Sequence, residues 1–135
     1  MEKDAFSQVM SKRILVVDDE TDINTTIRQV LEDKGFEVDS YEDPHLALKN
    51  FKPHYYDLVI IDSKMPQMNG FAFYRGVKAL DKKIKTCFLT AAELQSEQYS
   101  DDTFSSLHPP NYFIRIPIEN ERLLERIEEI MAEVK

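Results

Sequence analysis

The sequence predicts an α/β domain built from five βα units, with a parallel sheet between two layers of helices. Short apolar runs alternate with amphipathic stretches from residue 13 to the C-terminus, which is the pattern of βα repeats. Three of these runs end at an acidic or hydroxyl residue, namely Asp18, Asp62 and Thr90. Because the carboxyl ends of parallel strands share one edge of the sheet, these side chains are expected to converge where open α/β sheets bind ligands.

Composition limits the classes of function. The 135 residues fit one domain, and the apolar fraction of 42% with 31% charged residues is that of an ordinary globular protein. A net charge of −8 disfavours binding to nucleic-acid phosphates. No apolar run is long enough to cross a membrane or to act as a signal peptide, so a cytoplasmic location is expected.

The N-terminal third contains a tail, a strand and a helix. Residues 1–12 show no clear periodicity and are predicted to be a tail, and residues 13–134 form the domain. The first strand covers residues 14–17. Thr21 is predicted to cap the helix that follows, because its hydroxyl can accept a hydrogen bond from the first turn. Gly35 is expected to end that helix.

A more exposed strand and a short helix come next. Residues 36–41 alternate between apolar and polar, which is typical of a half-exposed strand. Asp43 is predicted to cap a helix that has Pro44 at its first position and runs to about residue 51. The residues expected to form its buried side are Leu46, Leu48 and Phe51.

The second half of the chain repeats the pattern. Residues 56–61 are predicted to be the central strand, and the unbroken apolar stretch over 58–61 fits a strand covered on both faces. A loop over 62–69 leads into a helix over 70–80, and further strands cover 84–89 and 112–116. A final amphipathic helix is marked by Leu123, Leu124, Ile127, Ile130 and Met131.

One segment, residues 91–110, is irregular. It is where the fourth helix is expected, yet it has no clean apolar stripe and ends in His108-Pro109-Pro110, which excludes helix there. A short or loosely held helix with a long loop is therefore expected.

The acidic residues at the predicted sheet edge suggest a metal site. Asp18 and Asp19 follow the first strand and Asp62 follows the third. Each alone could simply cap a helix or stabilise a turn. Together on adjacent strand ends they repel one another unless a proton or a cation lies among them. Oxygen-only ligands select a hard cation, and a few ligands with open positions suit magnesium.

Three stretches of the sequence carry a resemblance to a known family. They are Asp18-Asp19-Glu20, residues 57–70 with the sequence DLVIIDSKMPQMNG, and Leu89-Thr90-Ala91. Together they resemble the receiver domains of two-component response regulators, and the resemblance covers residues 13 to about 134. The central stretch is highly specific, because it combines an aspartate after an apolar strand with Met-Pro and Asn-Gly at fixed positions in the following loop.

The resemblance implies a flavodoxin-like fold with strand order 2-1-3-4-5 and a phosphoryl group accepted by Asp62. The donor would be the phosphohistidine of a sensor histidine kinase or phosphotransfer protein. Asp19 would bind Mg²⁺ directly, Asp18 mainly through water, and the backbone carbonyl of Lys64 would complete the protein ligands. The resemblance implies a phosphoacceptor and not an enzyme, with at most self-catalysed phosphotransfer and autodephosphorylation.

The resemblance also implies a switch. The hydroxyl of Thr90 would bond a phosphoryl oxygen, Ala91 would leave room for the group, and Phe113 matches an aromatic switch position. Reorientation of Thr90 would let the ring turn inwards and change the surface formed by the fourth helix, fifth strand and fifth helix. No further domain is expected after the last helix, so the chain is predicted to signal through protein contacts with a downstream partner.

The sequence departs from the family pattern at one position. The family has a lysine immediately before the proline that ends the fifth strand, and here that residue is Ile116. Isoleucine carries no charge, so the phosphoryl group would lose a charge-assisted bond of roughly 1.5–3 kcal/mol. Arg115 or the side chain of Lys64 could replace that cation. Metal binding and phosphorylation are expected to survive, with weakened or altered coupling to the output face.

Two other functional hypotheses remain open. The first is a degenerate receiver that binds partners without using phosphate, which Ile116 favours and the retention of Asp18, Asp19, Asp62 and Thr90 disfavours. The second is an aspartyl-phosphate hydrolase, which needs a second acid two residues after the nucleophile. That residue is Lys64, which cannot serve as a general acid in this way. A DNA-binding regulator is unsupported, since the chain is acidic and has no helix-turn-helix module.

Overall fold

The computed structural model describes residues 12–91 and 113–132 and contains one five-stranded parallel sheet in the order β2-β1-β3-β4-β5. This confirms the predicted fold class and strand order. The strands are β1 (Arg13–Val17), β2 (Glu37–Tyr41), β3 (Leu58–Asp62), β4 (Thr86–Ala91) and β5 (Phe113–Ile116).

Helices cover both faces of the sheet. Those in the described ranges are α1 (Thr21–Asp33), α2 (Pro44–Lys49), α3 (Gly70–Leu80) and the C-terminal helix (Asn120–Ala132). One core cluster joins the sheet to α1 and the C-terminal helix, and a second joins it to α2 and α3. None of the described helices has the length and apolar character needed to span a membrane.

The central strand is buried on both faces, as its unbroken apolar sequence predicts. Residues 58–61 are fully buried, and successive side chains alternate between the two core clusters. The strand begins at Leu58, two residues later than predicted, although Tyr56 is still buried. The Tyr56 hydroxyl donates a hydrogen bond of 2.7 Å to Asp39 Oδ2, which satisfies the polar end of this side chain.

Three of the four predicted helix signals are confirmed, including Pro44 at the first position of α2. Asp43 Oδ1 accepts a hydrogen bond of 2.9 Å from His45 N at the start of α2, and Gly35 follows the end of α1 with φ of +100°, a conformation that favours glycine. The prediction that Thr21 caps α1 was wrong. Glu20 occupies the N-cap without a side-chain hydrogen bond, and Thr21 is the first helical residue.

The prediction that Leu46 belongs to the buried side of α2 was also wrong. Its exposed fraction is 47%, whereas Pro44 and Ala47 are buried. The buried positions 44, 47 and 51 and the partly buried position 48 follow helical spacing, and Leu46 falls outside that arc. A helix of six residues packs only one narrow arc of side chains against the core, and Leu46 is not on it.

Other boundaries shift by one or two residues. β4 runs to Ala91, so Thr90 and Ala91 are its last two residues. The predicted irregular helix lies outside the described residues from position 92 onwards, and so does most of the predicted tail.

The helix α3 is fixed at its C-terminal end by Asp81. Asp81 Oδ2 accepts a hydrogen bond of 2.8 Å from His54 N, and Oδ1 accepts one of 3.3 Å from Lys83 N.

Candidate functional site

Three carboxylates meet at the carboxyl edge of the sheet. Asp18, Asp19 and Asp62 each offer one oxygen, and these oxygens all lie within 4.8 Å of one another. The strands explain the convergence, because β1 and β3 are neighbours and Val17 pairs with Ile61, so the next residue of each strand lies side by side. Asp18 is buried, whereas Asp19 and Asp62 are half-buried and open towards solvent.

The donor set fits a hard divalent cation. Asp18 Oδ1 accepts a hydrogen bond of 2.9 Å from Glu20 N, but its Oδ2 is buried and has no hydrogen-bond partner among the residues that the structure describes. A buried carboxylate oxygen without a partner is costly, and a cation between the three aspartates would satisfy it. The donors are all oxygens and few in number, which suits Mg²⁺ with several retained waters.

The chain turns directly after Asp62. Lys64 N donates a hydrogen bond of 3.1 Å to Asp62 Oδ1, which draws the loop back over the strand end and brings the backbone of Lys64 to the site. The side chain of Lys64 is exposed. Ser63 N donates to Leu89 O at 3.1 Å, so the sheet pairing continues one residue beyond β3.

The first residue of α3 lies against the backbone of the strand end. A Cβ atom built on Gly70 would lie 2.4 Å from Asp62 O and 2.8 Å from Ser63 Cα. Real Cβ atoms do not approach backbone that closely, so only glycine fits here. The position of Asp62 is therefore set by the β3 ladder on one side and by α3 on the other.

Burial and mutual repulsion make the carboxylates hard to ionise together. Burial raises the pKa of Asp62 to about 8, and the neighbouring charges of Asp18 and Asp19 add to that effect. Burial likewise raises the pKa of Asp18 to about 6, against a lowering contribution from the Glu20 backbone N–H. A cation at the site would favour the ionised forms of both groups.

The metal-free protein is expected to lose stability as pH rises from about 4 to 8. In this range the unfolded carboxyls, with pKa values near 3.8, are ionised while the folded Asp18 and Asp62 still bind protons. Folding therefore takes up protons, and higher pH opposes it. Mg²⁺ is expected to reverse the trend, adding about 2.7 kcal/mol at 100 times its Kd. Urea unfolding at several pH values, with chelator or with Mg²⁺, checks this; a chelated protein that becomes more stable with rising pH contradicts it.

The predicted phosphoryl-binding residues lie at the same edge. Thr90 and Ala91 end β4 and are half-buried. Leu89 pairs with Asp62. Thr90 and Ala91, which follow Leu89, therefore extend just beyond the end of β3, where Asp62 lies. Ala91 in turn pairs with Ile116 of β5.

Phe113 belongs to an aromatic cluster that joins β5 to β4 and α3. Its ring stacks on Phe88 with centroids 5.4 Å apart and planes at 19°. Phe88 also lies 4.7 Å from Phe71 and 5.7 Å from Tyr74, measured between ring centroids. Phe113 itself is half-buried, so the ring at the predicted switch position is already packed against its own sheet.

Ile116 faces an apolar groove instead of presenting a charge. It packs against the core cluster of α1 and the C-terminal helix and helps to line a groove of about 400 Å³. The apolar residues that share this groove are Ile23, Ile27, Ala91, Pro117, Ile118 and Leu123. Arg115 is exposed, and as the adjacent strand residue it lies on the other side of β5.

One residue at the site escaped the sequence analysis. Asn24 of α1 is buried, and its Nδ2 donates to Asp18 O at 2.9 Å and to Tyr41 O at 2.8 Å. A signal was present, because Asn24 is a polar residue in phase with the buried Ile27 and Leu31. A polar residue on the inward arc of a helix usually has a buried partner.

Comparison with known proteins gives consistent matches. The family model described as response regulator receiver domain matches residues 14–128. The transcriptional regulatory protein RprY of Bacteroides fragilis is 30% identical over 91% of this chain and 50% of its own length. The chemotaxis protein CheY of Bacillus subtilis is 34% identical over 64% of this chain and 73% of its own length.

The fold comparison agrees with the sequence matches. The non-phosphorylated HemR receiver domain from Leptospira biflexa superposes with a TM-score of 0.79 at 26% identity, covering 93% of this chain and 98% of that domain. The chain spans half or less of the length of several transcriptional regulatory proteins that it matches.

Proposed function

This chain belongs to the response regulator receiver domain family, a family of signalling domains, and we propose that it accepts a phosphoryl group on Asp62 in the presence of Mg²⁺. The observation that supports this most directly is the convergence of Asp18, Asp19 and Asp62 within 4.8 Å at the sheet edge. Asp62 is half-buried, so part of its side chain is accessible to a donor.

In the proposed reaction, an Asp62 oxygen attacks the phosphorus of a phosphohistidine on a sensor kinase or phosphotransfer protein. The new P–O bond forms as the P–N bond breaks, and the bonding pair stays on the histidine nitrogen. Asp18, Asp19 and the backbone carbonyl of Lys64 would hold the metal. When bound, Mg²⁺ offsets the repulsion between the attacking carboxylate and the anionic phosphoryl group.

The residues of β4 and β5 would read the modified state. The Thr90 hydroxyl is proposed to donate a hydrogen bond to a phosphoryl oxygen, with Ala91 leaving room beside it. Movement of Thr90 towards the phosphoryl group would open space next to the aromatic cluster of Phe113 and Phe88. A change in that cluster would alter the adjoining surface and its contacts with a downstream protein.

A small phosphodonor such as acetyl phosphate tests the central step. With Mg²⁺ present, intact mass is expected to show one added phosphate, and a chelator is expected to prevent it. The adduct should be lost in hydroxylamine, as an acyl phosphate is. A folded protein that binds Mg²⁺ but stays unmodified with several donors would contradict the proposal.

Ile116→Lys is expected to strengthen the response to phosphorylation. A lysine here adds an ion pair to a phosphoryl oxygen, worth on the order of 1.5–3 kcal/mol, or roughly tenfold to a hundredfold in the equilibrium between the two states. Amide hydrogen exchange across β5, with and without phosphodonor, measures the response. Ile116→Met is the control, since it supplies length without charge. Equal responses in the three proteins would show that the missing cation does not limit switching.

A second candidate function is a receiver that binds its partner without using phosphate. The packing of Ile116 into an apolar groove favours it, because no cation stands at that position to read a phosphoryl group. Under this alternative, Asp62→Asn leaves partner binding unchanged.

A further inference from the structure

We infer that Asn24 is a positioning residue that fixes the turn carrying Asp18 and Asp19, and thereby sets the affinity of the site for Mg²⁺. The inference rests on the proposed function, since it assigns to this turn the role of presenting two metal ligands. The side chain of Asn24 bonds the main-chain carbonyls of Asp18 and Tyr41, so we infer that it acts through the backbone.

Asn24 holds the turn from both sides. Its side-chain amide donates to Asp18 O at 2.9 Å, at the point where β1 ends. Its backbone N–H donates to Glu20 O at 3.0 Å, where α1 begins. Asp19 lies between these two contacts, so one residue of α1 fixes the backbone before and after it.

The same side chain ties the turn to the neighbouring strand. Asn24 Nδ2 donates a second hydrogen bond, of 2.8 Å, to Tyr41 O at the end of β2, and that carbonyl also accepts from Asp18 N at 3.1 Å. Both hydrogens of the amide are therefore used. The ends of β1, β2 and α1 meet at this one group.

The burial of Asn24 argues that the polar group has a specific role. Asn24 is 4% exposed and in phase with Ile27 and Leu31 on the inward side of α1, where an apolar residue would serve packing better. A buried amide is costly unless it is hydrogen-bonded. Here the cost is offset by bonds to main-chain carbonyls that no apolar side chain could make.

The orientation of the Asp18 carboxylate depends on this backbone. Asp18 Oδ1 is held by Glu20 N at 2.9 Å, and its Oδ2 is left for the cation. If the turn relaxes, Glu20 N moves and Asp18 loses its fixed direction. Residues that orient metal ligands through hydrogen bonds commonly change metal affinity by tenfold or more when they are removed.

Calorimetric titration with MgCl₂ compares wild type with Asn24→Ala. We expect the Kd for Mg²⁺ to rise about tenfold in Asn24→Ala. The matched control is Asn50→Ala, which removes a side-chain to backbone hydrogen bond of 2.9 Å to Leu46 O at the end of α2, outside the acidic cluster. Ile130→Val is a second control. It removes one methyl group from the core, outside that cluster, and so lowers the free energy of unfolding.

The outcomes separate the inference from the proposed function. Wild type that shows no saturable Mg²⁺ binding would overturn the proposed function. Wild type that binds, together with Asn24→Ala within twofold of it, would overturn the inference alone. A rise in Kd that Ile130→Val reproduces would show that Asn24 acts only through stability.

A measurement on wild type keeps the inference testable if Asn24→Ala does not fold. The side-chain amide resonances of Asn24 are expected to exchange slowly with solvent and to shift on addition of Mg²⁺, whereas those of Asn50 stay unchanged. Asn24 resonances that exchange rapidly and do not respond to Mg²⁺ would contradict the inference.

Discussion

Asp62→Asn is expected to abolish phosphate incorporation from a small donor completely, while the protein stays folded. The amide of asparagine is not a nucleophile towards phosphorus, and no other carboxylate replaces Asp62 in the cluster: Asp18 is buried with its Oδ1 held by Glu20 N, and Asp19 would be held by the metal. Intact mass after treatment with donor and Mg²⁺ gives the result directly.

The same substitution is expected to stabilise the metal-free protein at pH 8. Removing one of three crowded carboxyls lowers the repulsion and the burial cost that raise the pKa of Asp62 and Asp18. The gain is roughly 1–2 kcal/mol in the free energy of unfolding and is lost at pH 4, where Asp62 is protonated in wild type. Urea unfolding at both pH values measures it.

Asp57→Asn is the matched control for both effects. Asp57 precedes the same strand but lies at the opposite edge of the sheet, where its carboxylate accepts a hydrogen bond of 2.9 Å from Arg13 N, which an asparagine oxygen can also accept. This variant should be phosphorylated like wild type. Phosphate on Asp62→Asn, or its absence from Asp57→Asn, would contradict the assignment of Asp62.

Gly70→Ala is expected to cause the largest loss of stability among the single-methyl changes at the site, about 3 kcal/mol or more. The added Cβ would lie 2.4 Å from Asp62 O and 2.8 Å from Ser63 Cα, and backbone cannot rotate away as a side chain can. Either α3 shifts outwards or the end of β3 moves. Chemical denaturation measures the loss, and Mg²⁺ affinity is expected to fall with it because Asp62 is displaced.

Gly76→Ala is the internal comparison, since it makes the same change in the same helix. The three heavy atoms nearest to its Cβ would all belong to the Leu48 side chain, with Cδ1 and Cδ2 both at 3.0 Å, and those atoms can adjust. Alanine also favours helix over glycine by about 1 kcal/mol, so the net change should stay within about 1 kcal/mol. Equal losses at the two glycines would show that the approach to Asp62 is not what restricts position 70.

The sequence predicted the sheet well because its strands are strongly patterned. The run from Leu58 to Ile61 is apolar at every position, as expected of a strand covered on both faces. Parallel topology placed Asp18 and Asp62 at one edge of the sheet, and the pairing of β1 with β3 brings them together. Leu46 shows the limit of such reasoning, since an apolar residue in a short helix does not reveal which arc faces the core.

The features that sequence reasoning missed depend on contacts with main-chain atoms. Asn24 bonds the carbonyls of Asp18 and Tyr41, and any residue type offers a carbonyl, so no pattern of side chains reports the partnership. Gly70 was expected at the start of a helix, but its approach to Asp62 O is visible only in three dimensions.

The helix α3 is wedged between two fixed points. At one end Gly70 abuts the backbone of Asp62 and Ser63, and at the other Asp81 clamps the loop of His54. These contacts at both ends restrict tilting of α3, because movement in either direction would bring the helix against main-chain atoms. A change at the acidic cluster is therefore expected to pass across β4 and β5, where the half-buried Phe113 ring stacks on the buried Phe88.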